Sequence, residues 1–203
     1  MTRIGCRAHD YGKLPAVALA ATLRAKGYNA AQLAMPRAIA GIEDFAHITD
    51  KQLAEIRTAF AAQDVEISVL SCYQDLSAPD ADARRTAVDA VKRTLGYAKM
   101  LGAKMVGSET AWGACTDEEK AAHWSRWLEV IGDQLGAVHV KDCRIEADGS
   151  KTLLPLGAGD MDYSAIRAFL ATHAPAAPLL RDEVILPADT ADVRYLRRMT
   201  DTV

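Results

Sequence analysis

The sequence predicts a parallel α/β protein of about six strand–helix units. Short apolar runs recur at Ile4–Cys6, Ala30–Ala34, Glu66–Cys72, Lys104–Gly107, Ala137–Cys143 and Pro178–Asp182, and each ends in polar residues. The segments between them carry apolar residues at helical spacing behind helix-start signals. The repeat averages roughly 34 residues, the size of one βα unit. In such folds ligands sit beyond the carboxyl ends of the strands, so the polar residues at those ends are the first place to look for a site.

The first run exits into Arg7, Ala8, His9 and Asp10. A helix over Ala16–Lys26 follows Pro15, which is tolerated there because the first helical N–H groups have no partner, and it stops at Gly27. The second run carries Gln32 and passes into Met35-Pro36-Arg37, read as a loop. Thr49 and Gln52 have capping-box spacing, and Leu53, Ile56 and Phe60 recur behind them, giving a helix over Asp50–Gln63. The third run, EISVLSC, is rich in β-branched residues and exits into Tyr73, Gln74 and Asp75.

Asp80–Leu101 is the strongest helical segment, with Val88, Val91, Leu95 and Ala98 read as its buried face and Gly102 as its end. The fourth run exits into Ser108, Glu109 and Thr110. A second capping box, Thr116 with Glu119, opens a helix with Trp124, Trp127, Leu128 and Ile131 as its inner stripe. After Asp142 a polar stretch centred on Asp148-Gly149 predicts a hairpin. Asp162 is placed to cap a helix with Ile166, Phe169 and Leu170 inward. The last run leads to Glu183 and a final helix over Asp189–Met199.

Composition narrows the function class. In 203 residues half are apolar and a quarter charged with mixed sign, which supports one globular domain over 1–203. A net charge of -3 argues against a nucleic-acid binder working through a general basic field. Cys6, Cys72, Cys115 and Cys143 lack CxxC spacing and read as reduced thiols. No apolar stretch approaches the roughly 18 residues of a membrane span, so a cytoplasmic protein without a membrane partner is expected.

The strand ends supply His9 and Asp10, Gln32, Tyr73 to Asp75, Glu109, His139 with Lys141 and Asp142, and Glu183. Imidazole with carboxylate oxygens suits manganese, magnesium, cobalt or zinc. Val138 and Val140 alternate with His139, so His139 faces away from them; Lys141 is placed with the valines or out at the strand end. His9 and Gln32 are candidates for substrate contact. Gly157-x-Gly159 lacks the third glycine and the lysine of nucleotide loops, and reads as a tight turn letting backbone approach a ligand.

AVHVKDC, then PLGAGDMDYSAI and PLLRDEV, with RAHDYGKLP and GYNAAQLAMPRAI near the start, resemble the sugar phosphate isomerase/epimerase superfamily, the xylose isomerase-like TIM barrels. The resemblance implies a TIM-barrel-like parallel βα repeat. It implies a divalent metal held by two glutamates, an aspartate and a histidine or glutamine, with the glutamates moving a proton between adjacent carbons of a sugar-like hydroxy-carbonyl substrate through an enediolate. On it, His139 and Glu183 are metal ligands, with Asp182 the register-shifted alternative to Glu183. Glu183 is catalytic on the same match; Glu109 is not the family's glutamate by alignment and is the candidate replacement catalytic carboxylate, while His9, Gln32 and Lys141 are the candidates for substrate contact.

A complete member has eight units in about 250 residues. Against that pattern two units are missing here, an internal deletion near 110–116, and with them a glutamate and the aspartate of the metal set. The barrel is therefore incomplete or completed by a homodimer or higher homo-oligomer, because exposed sheet edges are normally covered or paired. A non-catalytic barrel remnant serving as a binding or structural module is the alternative, with the metal lost. A metal-dependent endonuclease-like hydrolase ranks behind both.

Overall fold

The structure is a computed structural model that describes residues 2–76, 80–109 and 136–201. Six parallel strands form one sheet in the order β4-β3-β2-β1-β8-β5: β1 (Ile4–Arg7), β2 (Ala30–Leu33), β3 (Glu66–Asp75), β4 (Met105–Glu109), β5 (Val138–Val140) and β8 (Leu179–Arg181). The predicted hairpin is present as β6 (Asp142–Ile145) and β7 (Lys151–Leu154), antiparallel and outside that sheet. This is an incomplete TIM barrel, with β4 and β5 as its edges among the described residues.

The helices are α1 (Ala16–Lys26), the single turn α2 (Met35–Ala38), α3 (Asp50–Ala62), α4 (Ala81–Leu101), α5 (Ser164–His173) and α6 (Asp189–Asp201). Local chemistry explains most boundaries. Gly27 and Gly102 take the left-handed conformation that ends α1 and α4. The Thr49–Gln52 capping box is fully formed, and the Asp80 carboxylate accepts from Ala83 N to open α4. None of the helices among the described residues is long and apolar enough to cross a membrane.

Three local expectations need correction. Met35-Pro36-Arg37 is not a loop but opens α2, with Pro36 in the first turn where it is tolerated. The buried face of α4 is Ala87, Ala90, Thr94, Ala98 and Leu101, whereas Val88 and Leu95 are exposed. Small residues and a threonine bonded to Ala90 O let this helix lie close on the sheet. Asp162 holds the Ser164 N–H and hydroxyl, while Tyr163 occupies the cap position of α5 without a side-chain capping bond. The predicted Thr116–Glu119 cap, the tryptophan stripe and Cys115 lie outside the described residues.

Two apolar layers flank the sheet. The larger packs the outward strand faces, including Ile4, Cys6, Ile67 and Val140, against helix residues such as Leu19, Leu53, Ile56 and Leu196. The smaller joins Ala30, Val69 and Leu180 with Met105 and Ala137, one residue from each of five neighbouring chain segments. Gly5 belongs to this inner face, since a Cβ there would collide with Ala30 O and lie 2.8 Å from Leu180 Cδ2. Met105, on the β4 edge, reaches the chain entering β5: a Cβ on Gly136 would run into Met105 Cε. The sheet is therefore curled, with a side chain spanning its seam.

Candidate active site

Alternation carries the inner face of each strand up to its polar exit. From Gly5 it leads to Arg7, from Ala137 to His139 and Lys141, and from Leu180 to Asp182. Strand β1 pairs with both β2 and β8, and β8 with β5, so these exits adjoin.

Arg7 lies at the centre. Its Nη2 donates to Asp10 Oδ1 at 2.9 Å and its Nη1 reaches Asp182 Oδ1 at 2.8 Å. Burial works against the guanidinium charge, yet the hydrogen bond and field of Asp10, with the field of Asp182, hold its pKa above the ordinary value. Asp10 Oδ2 accepts from Val184 N at 2.8 Å, tying the end of β1 to the exit of β8. Lys141 Nζ sits 3.4 Å from Asp182 Oδ2 and 3.4 Å from Glu183 Oε2. Glu183 adopts φ 58, a left-handed conformation uncommon outside glycine, directly after the strand.

The expected orientation of Lys141 is thus corrected. Residues 139 and 141 share parity, while Val138 and Val140 pack on the helix side. The lysine accordingly turns toward the Asp182–Glu183 pair. Asp142 is corrected as well: it leaves the rim and is 1% exposed. Its carboxylate accepts from Cys143 N, Gly157 N, Gly159 N and Met161 N at 2.8–3.2 Å. A Cβ at Gly159 would collide with Asp142 Oδ1, so the PLGAGD glycine serves an internal carboxylate.

His139 stays exposed on the edge strand, but desolvation by its surroundings is the largest influence on its ring and lowers its pKa. Asp182 opposes that shift, and Arg7 and Lys141 add to it. His9 and Gln32 form a second group. The Gln32 amide donates to Ser71 Oγ at 2.8 Å and to the Tyr73 hydroxyl at 3.2 Å. His9 meets the Tyr73 ring edge-on at 5.9 Å, and the Arg37 guanidinium lies 4.4 Å over that ring. Among the described residues Gln32 Oε1 and His9 Nδ1 are buried without a hydrogen-bond partner. Burial also lowers the pKa of His9, aided by Arg7 and Arg37 against Asp10 and Asp182. Glu109 ends β4, at the opposite edge of the sheet from β5.

Arg7 and Arg37 were absent from the sequence-derived site. Arg7 could have been found by counting parity from Gly5; Arg37 could not, because its place depends on α2. Arg181, also unforeseen, points the other way. It is fully buried, with Nε donating to Asp192 Oδ2 at 2.8 Å, Nη2 to Leu154 O at 3.0 Å, and Nη1 to Asp182 O. The resulting clamp joins β8, the hairpin and α6 beneath the rim.

The described residues do not fit the expected metal. Among the described residues no three of His, Cys, Asp and Glu gather closely enough to hold an ion. Asp182 gives one oxygen to Arg7 and the other to Lys141, and Glu183 is also paired with Lys141. A divalent ion about 4 Å from an ammonium meets roughly 8 kcal/mol of repulsion at an effective dielectric near 20.

A family model described as xylose isomerase-like TIM barrel matches residues 19–133, more than half of the chain. A search of curated proteins gives no significant match. Solved structures with the same fold include a xylose isomerase-like TIM barrel protein from Mycobacterium smegmatis in complex with magnesium. It has a TM-score of 0.69 and 14% identity, covering 99% of this chain and 97% of that one. A D-psicose 3-epimerase with D-tagatose from Clostridium cellulolyticum H10 aligns at TM-score 0.66 and 10% identity, over 100% and 99% of the two chains. An L-ribulose 3-epimerase aligns at TM-score 0.64 and 12% identity, over 100% and 95%. The fold, the inward parity of the strand exits and the family match agree: the chain belongs to the xylose isomerase-like TIM-barrel family.

Proposed function

We propose that the chain is a cytoplasmic isomerase or epimerase of a small sugar or sugar-phosphate-like hydroxy-carbonyl compound, bound at the carboxyl ends of β1, β5 and β8. The observation that carries this reading is the convergence of Lys141, Asp182, Glu183 and Arg7 at that rim. Family membership supplies the class of chemistry, and epimerases of ketoses share the fold.

In this reading Glu183 removes a proton from the carbon next to the substrate carbonyl. The electron pair of the broken C–H bond moves onto the carbonyl oxygen and gives an enediolate. Return of the proton to the other face of that carbon epimerises it. Return to the former carbonyl carbon, with the hydroxyl proton of the deprotonated carbon passing to the former carbonyl oxygen, isomerises the substrate. Neither outcome needs an oxidant. Gln32 Oε1 and the His9 ring take substrate hydroxyl groups. Glu109 is the second carboxylate candidate. Homodimerisation across the β4 and β5 edges belongs to the same reading, because β5 has only three residues and one strand partner among the described residues.

The test is proton exchange. Incubating the protein with a panel of trioses to hexoses in deuterated water should place deuterium on one carbon adjacent to the carbonyl, followed by NMR. Glu183→Gln should slow that exchange at least about 100-fold. Substrate binding without exchange supports a non-catalytic binding module instead. A sedimentation mass of one chain at working concentration removes the dimer.

A further inference from the structure

We propose that the ammonium of Lys141 takes the electrostatic place of a divalent metal, so that this rim holds a substrate oxyanion with a fixed cation and excludes metal from the Asp182–Glu183 position. The proposal rests on the reading that the rim binds a hydroxy-carbonyl compound, but its central test does not require turnover.

Three features of the rim carry it. Lys141 Nζ lies equally far, 3.4 Å, from an oxygen of each carboxylate at the exit of β8. These are the carboxylates that a metal bound beside His139 would need. The remaining oxygen of Asp182 is held at 2.8 Å by Arg7, which Asp10 fixes from its other side. Both oxygens of Asp182 are therefore committed to cations, and a metal entering there would have to displace two of them. Finally, Lys141 is anchored at its backbone: its N–H donates to the buried Tyr163 hydroxyl at 3.0 Å, and that hydroxyl donates to Lys141 O. The lysine side chain is 52% exposed, so its outer face is open to a ligand while its inner face is neutralised. An ammonium so placed can receive the negative charge that develops on a carbonyl oxygen as the adjacent proton leaves.

Equilibrium dialysis of the full chain against Mn²⁺, Co²⁺, Zn²⁺ and Mg²⁺, with elemental analysis, decides the matter. The wild-type protein is expected to retain no stoichiometric ion on the rim. Lys141→Met, which removes the charge at a half-exposed site, should bind Mn²⁺ at least tenfold more tightly, and adding Glu183→Gln should abolish that gain. Lys141→Arg keeps the charge and should still reject the ion. One Mn²⁺ per wild-type chain that is lost in His139→Ala overturns the proposal, and so does a Lys141→Met protein that gains no affinity.

A measurement on the unmodified chain stands beside these variants. Glycolohydroxamate, an enediolate-like probe, should bind equally with and without EDTA; a loss of more than tenfold on chelation overturns the proposal. Failure of the probe to bind at all counts against the hydroxy-carbonyl reading, whereas the dialysis result speaks only to the metal.

Discussion

The guanidinium of Arg7 and the carboxylate of Asp182 meet at 2.8 Å across the junction of the first and last strands of the sheet. Arg7 simultaneously holds Asp10, which accepts from Val184 N. Replacing Arg7 with Met leaves two partly buried carboxylates with fewer donors, at a cost of about 1–3 kcal/mol. Urea unfolding should show this drop. A double-mutant cycle with Asp182→Asn should return a coupling of about 1–2 kcal/mol, and no coupling at all would contradict the ion pair.

Arg181 and Asp192 are both fully buried and meet at 2.8 Å. Arg181→Met strands the Asp192 charge and should destabilise the fold by about 3–5 kcal/mol. The Arg181→Met/Asp192→Leu protein should regain part of that loss, since an apolar pair carries no buried charge. Thermal melting of the three proteins distinguishes this order from simple loss of packing.

Two glycine substitutions should move stability in opposite directions. Gly159→Ala drives a methyl group into Asp142 Oδ1 and Cys143 O and should cost about 1–3 kcal/mol. Gly96 lies within α4, where an added Cβ would meet nothing inside 4 Å, so Gly96→Ala should gain about 1 kcal/mol. Guanidinium titrations of both proteins provide the comparison.

The depressed pKa of His9 sets a direction for pH dependence. Its ordinary value is 6.5, and burial lowers it in the folded chain. Below that ordinary value the unfolded chain takes up a proton the folded chain refuses. The contribution of His9 is thus complete above about pH 6.5 and declines as pH falls toward the lowered value. Denaturant midpoints measured from about pH 7 to pH 5 should fall, and His9→Gln should flatten that limb. A steeper limb in the variant would contradict the assignment.

The elements were legible in the sequence because their causes are local: capping boxes, glycine stops and β-branched runs act within a few residues. Lys141 and Asp142 show where reading along the chain fails. Strict alternation puts Lys141 on the side of His139, against the expectation that placed it with the valines or out at the strand end. The role of Asp142 was hidden, because three of its four donors sit 15 to 19 residues onward in a loop. Val88 and Leu95 misled for a different reason. Apolar periodicity marks an apolar face, but close packing on the sheet selected the alanine face of α4 instead. Arg181 was invisible, since a buried arginine is recognisable only with the helix that neutralises it.

The pairing of Ile4 with Leu179 has a kinetic consequence. Each earlier βα unit can collapse on its immediate neighbours, but β1 must wait for almost the entire chain before its second partner arrives. Closing so long a loop is entropically expensive and slows folding. The rim that joins Arg7 to Asp182 is consequently among the latest parts to assemble, and a growing chain has no ion pair there until its final strand has emerged.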